Sequence, residues 1–161
     1  MATSPARGRR PSAEEVDSTL DASRALLGVV ARSVAGALEQ VTLPQFRVLV
    51  LLSVDGPLRS GVLAERAGVH PSTFSRTADR LVAGGWVRRV ENPHSRREVI
   101  VAPTTAGRRL VADVTRRRRE EIARILGRLS PGERESVRAG LTAFALGAGE
   151  VSVDDLAALG G

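Results

Sequence analysis

Along residues 12–41 the chain carries Val16, Leu20, Leu27, Val30, Val34 and Leu38 at helical spacing, with Ser23 on the same stripe. That recurrence is the period of an amphipathic helix. Ser12-Ala13-Glu14-Glu15 opens it as a capping box, with a hydroxyl at the N-cap and a carboxylate three residues on. The stripe is too long to be buried by so small a head, so a partner helix is expected. Thr42-Leu43-Pro44-Gln45 starts a second helix through Phe46, Val48, Leu49, Leu51 and Leu52, which stops near Asp55-Gly56-Pro57. Leu58 to Ala67 is predicted as a short third helix, with Ser60 near its start and Gly68 as its stop.

Val69-His70-Pro71 is a turn with proline at the first helical position, and a fourth helix follows in HPSTFSRTADRLVAGG. Two short helices joined by a tight turn containing glycine form a helix-turn-helix pattern. After Gly84-Gly85, Trp86 to Val90 is predicted as a strand, Glu91 to Arg97 as a basic turn, and Glu98 to Ala102 as a second strand. A β-hairpin with an arginine-bearing loop directly after such a helix is a wing. Thr104 caps a long helix with Leu110, Val111, Val114, Ile122, Ile125, Leu126 and Leu129 on its apolar face. Arg116 to Arg119, followed by Glu120-Glu121, read as its solvated side with i,i+4 pairs, a DNA contact being the alternative. Ser130-Pro131-Gly132-Glu133 is another capping box and opens a last amphipathic helix to Leu146. Residues 147–161 are weakly patterned, a tail or a short helix around Asp154–Leu159.

The fourth helix is unusual chemically. Its first two turns hold Ser72, Thr73, Ser75, Arg76 and Thr77, indifferent helix formers rich in donors. Phe74, Ala78, Leu81 and Val82 lie on other turns and pack the helix down. Short hydroxyls and an arginine on the leading turns suit contact with groove edges and phosphates of DNA. Arg76 has the reach for a bidentate contact to guanine, and the helix start favours a phosphate through its exposed backbone N–H groups. Arg80 has the reach for the DNA backbone, with an intrahelical pair or plain solvation as the alternatives. His70 reads as an N-cap or turn residue, with a phosphate contact as the alternative; Trp86 reads as a core anchor beneath the wing.

Composition narrows the field. The 161 residues are 42% apolar but only 2% aromatic, so the core is built from Leu, Val, Ile and Ala. No cysteine is present, which removes disulfides, thiolate nucleophiles and Cys-based zinc sites. Two histidines far apart, with no carboxylate cluster beside them, do not make a metal site. No run approaches the roughly 20 apolar residues of a membrane span, and no signal-like segment follows the first arginines, so a cytoplasmic protein is expected. All 24 basic residues are arginine against 18 acidic ones, a net +6 that favours a polyanionic partner. No glycine-rich phosphate loop, paired carboxylates or histidine beside a nucleophile supports an enzyme, and no cofactor is implied. A protein-interaction module built on the long helices is a further class, opposed by the polar helix face and the wing arginines.

VTLPQFRVLVLLSVDG, SGVLAERAGVHPSTFSRTADRLVAGGWVRRVENP, SRRE and PTTAGRRL, in this order and spacing, resemble the MarR family of bacterial transcriptional regulators. The resemblance implies a mainly α fold with a small β-hairpin wing: a winged helix-turn-helix head plus N- and C-terminal dimerisation helices. Residues 1–11 have no hydrophobic period and read as a disordered basic arm, with a nonspecific DNA contact as the alternative; the remaining boundaries are 12–41 for an N-terminal dimerisation helix, 42–103 for the DNA-binding domain, 104–147 for C-terminal dimerisation helices and 148–161 for a tail or short helix. The resemblance implies a homodimer on a near-palindromic double-stranded operator, in most members a repressor released by a small molecule. A ligand-independent regulator or an architectural DNA-binding protein is the alternative. The DNA-contacting residues expected are Ser60, His70, Pro71, Ser72, Thr73, Ser75, Arg76, Arg80, Arg96 and Arg97. The family's wing usually reads D-P-x-D-x-R; here Asn92-Pro93-His94-Ser95-Arg96-Arg97 puts Ser95 where the bracing Asp would be, and Arg97 matches the minor-groove arginine. The effector pocket implied by the resemblance has walls from the first helix, Phe46–Leu49 and the start of the helix after Thr104.

Overall fold

The computed structural model describes residues 10–91 and 98–149. Helix α1 (Ala13–Leu38) begins at the predicted capping box: the Ser12 hydroxyl accepts from the Glu15 N–H, and the Glu15 carboxylate accepts from the Ser12 N–H at 2.6 Å. Helix α2 (Leu43–Asp55) repeats the device with Thr42 and Gln45 and ends at Gly56, whose φ of 75° only glycine adopts easily. Then come strand β1 (Leu58–Arg59), helix α3 (Ser60–Ala67), helix α4 (Pro71–Ala83), strands β2 (Val87–Glu91) and β3 (Val99–Pro103), helix α5 (Thr105–Leu126) and helix α6 (Pro131–Gly147).

The sheet has three antiparallel strands in the order β1-β3-β2. Leu58 pairs with Val101, and Arg89 pairs with the same Val101 from the other side. The antiparallel β2–β3 pairing expected of the wing is present and gains β1 as a third strand, which corrects only the expected third helix: it begins at Ser60 rather than Leu58. The reason is that β3 has a free edge, and two residues after the Gly56-Pro57 turn suffice to cover part of it.

The chain divides into two units, Met1–Arg119 and Glu120–Gly161. In the first, Leu49, Leu52, Leu63, Phe74, Leu81, Val87 and Val101 form the core, joined by Val34 and Ala37 of α1 and Leu110 and Val114 of α5. The buried face of α1 is Val29, Ser33, Val34 and Ala37, which overlaps the predicted stripe only at Val34. Val16, Leu20, Leu27, Val30 and Leu38 are exposed. Small residues at Ser33, Gly36 and Ala37 admit α5 arginines instead of apolar chains. The Arg118 Nε donates to the buried Ser33 hydroxyl at 3.2 Å, and the Arg117 guanidinium lies over Gly36. The arginine run is therefore not the wholly solvated face expected of it; Arg116 does pair locally, with Asp113 at 2.8 Å. In the second unit α6 opens at the Ser130–Glu133 capping box and has no buried residue.

Candidate nucleic-acid interface

The geometry of the site starts at the turn before α4. Helix α3 stops at Gly68 in the left-handed conformation, and its N–H closes onto the last turn. Val69 and His70 then lead into Pro71, whose missing N–H is no loss at a first helical position. His70 is the N-cap. Its Nδ1 accepts from the Ser72 N–H at 3.3 Å and lies 2.8 Å from the Ser72 hydroxyl, while its carbonyl accepts from the Thr73 and Phe74 N–H groups.

That arrangement changes one expectation. The leading amides of α4 are already satisfied by His70, so its start is not an open cradle of N–H donors for phosphate. What faces outward is side chain. Pro71, Ser72, Thr73, Ser75, Arg76 and Arg80 are exposed, while Phe74, Ala78 and Leu81 are buried, with Val82 packed against the core. The helix thus has two faces, as its sequence suggested: the apolar residues at positions 74, 78 and 81 follow the i, i+4, i+7 rule. Thr77 is half-buried and bonds back to the Thr73 carbonyl at 3.2 Å.

Ser60 is brought to the same region by a different route. Its hydroxyl donates to the Val99 carbonyl at 3.2 Å, which ties the start of α3 to β3. Ser60, Pro71 and Ser75 share the lining of a cleft of about 630 Å³ with Arg59, Glu65, Arg89 and Glu98. Two ion pairs sit at this cleft: Arg59 with Glu98 at 3.2 Å, and Arg89 of β2 with Asp79 of α4. The second joins the outward-facing helix to the first wing strand and was not foreseen; a lone Asp ten residues before an arginine gives no sequence signal until the strand register is known. Arg96 and Arg97, with Asn92 to Ser95, lie outside the described residues, as do residues 1–9 of the expected arm and 150–161 of the expected tail. Trp86 is half-buried against the core where α4 meets β2, in keeping with its role as an anchor. Phe46, Val48 and Leu49, expected along one wall of an effector pocket, are core residues.

A three-helix head with α3 and α4 joined by a glycine turn, backed by an antiparallel sheet, defines a winged helix-turn-helix protein. Residues 41–99 match the MarR family. The chain is 31% identical over 102 residues to the HTH-type transcriptional regulator YfiV of Bacillus subtilis, covering 63% of this chain and just under two thirds, 64%, of that protein. It is 34% identical over 98 residues to the HTH-type transcriptional regulator Mb0904 of Mycobacterium bovis, covering 61% of this chain and 68% of the relative. Among solved structures, RV1404 from Mycobacterium tuberculosis superposes with a TM-score of 0.80 at 43% identity, covering 88% of this chain and 97% of that one. This chain belongs to the MarR family.

Proposed function

We propose that this protein is a homodimeric, sequence-specific regulator that binds double-stranded DNA by laying the outer face of α4 in the major groove. The two-faced character of α4 carries this reading. Phe74, Ala78 and Leu81 fix the helix to the core, and that leaves Thr73, Ser75 and Arg76 projecting from a rigid support. A helix so anchored presents its leading turns to base edges without paying to order them. Arg76 is the base reader, bidentate to guanine; Thr73, Ser75 and Arg80 meet base edges or phosphates. Ser72 serves chiefly to complete the cap with His70. Arg97, with Arg96, enters the flanking minor groove, where a narrow A·T-rich stretch concentrates negative potential.

The dimer uses the apolar residues that α1 and α6 leave exposed, and the boundaries are those assigned by the resemblance: residues 12–41 and 104–147 for assembly, 42–103 for DNA. Repression by occupying a promoter is the default outcome. Release by a small ligand fits the cleft between α3, α4 and the sheet, because a molecule seated against Ser75 and Arg89 would compete with the reading face or shift the wing. The test is selection of genomic fragments by the purified protein, footprinting of the enriched site, and repetition with Arg76→Ala and Arg97→Ala. A protected near-palindrome weakened by both variants and by added salt is expected. Enrichment no better than random DNA, for the wild type under low salt, would remove the reading and turn attention to partners of the long helices.

A further inference from the structure

The place where α4 ends and α5 begins is joined by backbone, with nothing longer than a hydroxyl between. Helix α4 closes with Gly84 N–H on the Arg80 carbonyl, Gly85 N–H on Val82 and Trp86 N–H on Leu81, each at 2.9 Å, and Gly85 takes a φ of 73°. The next two carbonyls, of Gly85 and Trp86, are then both claimed by one residue at the head of α5. The Thr104 hydroxyl donates to Gly85 at 2.7 Å and lies 3.0 Å from the Trp86 carbonyl. The Thr104 N–H donates to the same Trp86 carbonyl at 3.0 Å. The hydroxyl in turn accepts from the Gly107 N–H at 3.2 Å.

Gly107 is buried in that contact. A Cβ there would collide with the Trp86 carbonyl oxygen and crowd the Leu49 Cδ2 at 3.3 Å. The colliding atom is backbone, so no rotamer can relieve it, and α5 would have to move off the end of α4. On the opposite flank, α4 meets the wing strand through the exposed pair of Asp79 and Arg89, a soft link. The end of α4 is therefore pinned by backbone to the head of α5, while Phe74, Ala78 and Leu81 seat its length in the core.

We propose that Thr104 and Gly107 are positioning residues that set the half-site spacing this protein accepts on DNA. This rests on the DNA-reading function above. In a two-fold dimer assembled through its long helices, the separation of the two α4 helices follows from the angle at which each leaves α5. Because α4 is seated in the core, a small forced displacement at the joint tilts the packed head against α5 and carries the leading turns of α4 with it. One base pair of spacing is roughly 3.4 Å, so a tilt of that size at the tips is readable.

The experiment begins with selection from a random-sequence duplex pool by the wild-type protein. The selected duplex is then remade with its centre lengthened or shortened by one and two base pairs. Binding of each duplex is measured for wild type, Gly107→Ala, Thr104→Val and Thr104→Ser, with dimerisation checked by sedimentation. Trp86, the only tryptophan, sits in the joint and reports its integrity by fluorescence. For Gly107→Ala we expect a loss of about tenfold or more on the parent spacing and a smaller loss on an altered one, so that the preference flattens or moves. Thr104→Val, which folds if Gly107→Ala does not, shifts the order in the same sense, and Thr104→Ser restores it. Variants that keep the wild-type order of spacings, whatever their uniform loss, overturn the proposal. A wild-type protein that enriches a site without an inverted repeat overturns the spacing proposal alone, and one that enriches nothing above the random pool overturns the DNA-reading function itself, a failure seen before any variant is made.

Discussion

Helices α4 and α6 are both amphipathic in sequence, yet only one has its apolar face covered. In α4, Phe74, Ala78 and Leu81 are sealed into the core, and the polar residues point outward. In α6, Val137, Leu141, Phe144 and Leu146 are all exposed, Phe144 by 60%. The amino-terminal half of α1 is alike, with Val16, Leu20 and Leu27 in the open. A single chain thus completes the head by itself and leaves its terminal helices with apolar stripes of the kind that mark an interface. The head carries chemistry on its surface; the terminal helices carry unspent hydrophobic area.

The sharpest way to break this contrast is to empty one core position. Leu81 is fully buried, so Leu81→Ala is expected to cost about 2–5 kcal/mol in urea unfolding and to abolish DNA binding with it. The matching change on the open side is Leu141→Asp. There is no core at Leu141 to lose, so the thermal transition of the head stays where it is. The proposed homodimer, by contrast, should weaken by about 2 kcal/mol or more, and sedimentation at micromolar protein would show monomer. An equal loss of head stability in both variants would erase the distinction between the two regions.

Arg76→Ala separates reading from folding. Arg76 is exposed, so stability should stay within about 0.5 kcal/mol of wild type. Specific binding should fall by about 1–3 kcal/mol, with the loss confined to duplexes that carry the selected base. A loss that is uniform over all sequences would demote Arg76 from base reader to phosphate contact. Asp79→Asn should act more weakly on both counts, because its pair with Arg89 is about half exposed and such pairs contribute about 0.2–1 kcal/mol.

Most of the fold was legible because its signals are local. Three capping boxes, at Ser12, Thr42 and Ser130, stand where the sequence put them, and so do the stops at Gly56 and Gly68. The two faces of α4 followed from spacing alone. What escaped depends on partners far along the chain. Leu58-Arg59 is too short to show a strand period, and only the edge of β3 makes it one. Ser33 lies off the predicted stripe, and its partner is Arg118, 85 residues away. The role of His70 was half seen: the cap was anticipated, but not that it uses up the amides expected to meet phosphate. Gly107 gave no sign beyond being a glycine in a helix, since its reason is the Trp86 carbonyl across the joint.

The smallest expected effect draws the same line between head and terminal helices by pH. The boxes that open α1 and α6 use carboxylates, Glu15 and Glu133; the box that opens α2 uses the neutral Gln45. Hydrogen bonds from the Ser12 and Ser130 backbone N–H groups, and then from their hydroxyls, hold the two carboxyls below their ordinary 4.5. A carboxyl depressed in the folded state contributes stability above its unfolded value and loses it as pH falls through the folded one. Acid should therefore loosen the first turns of α1 and α6, while the first turn of α2 holds. Amide exchange at Glu15 and Glu133, compared with Gln45 between neutral pH and pH 4, measures this directly. Glu15→Gln and Glu133→Gln should abolish the difference, because a Gln at that position can still accept from the N-cap N–H, as Gln45 does from Thr42 at 2.7 Å. Both carboxylates are fully exposed, so the effect stays local and global unfolding should not shift measurably over that range.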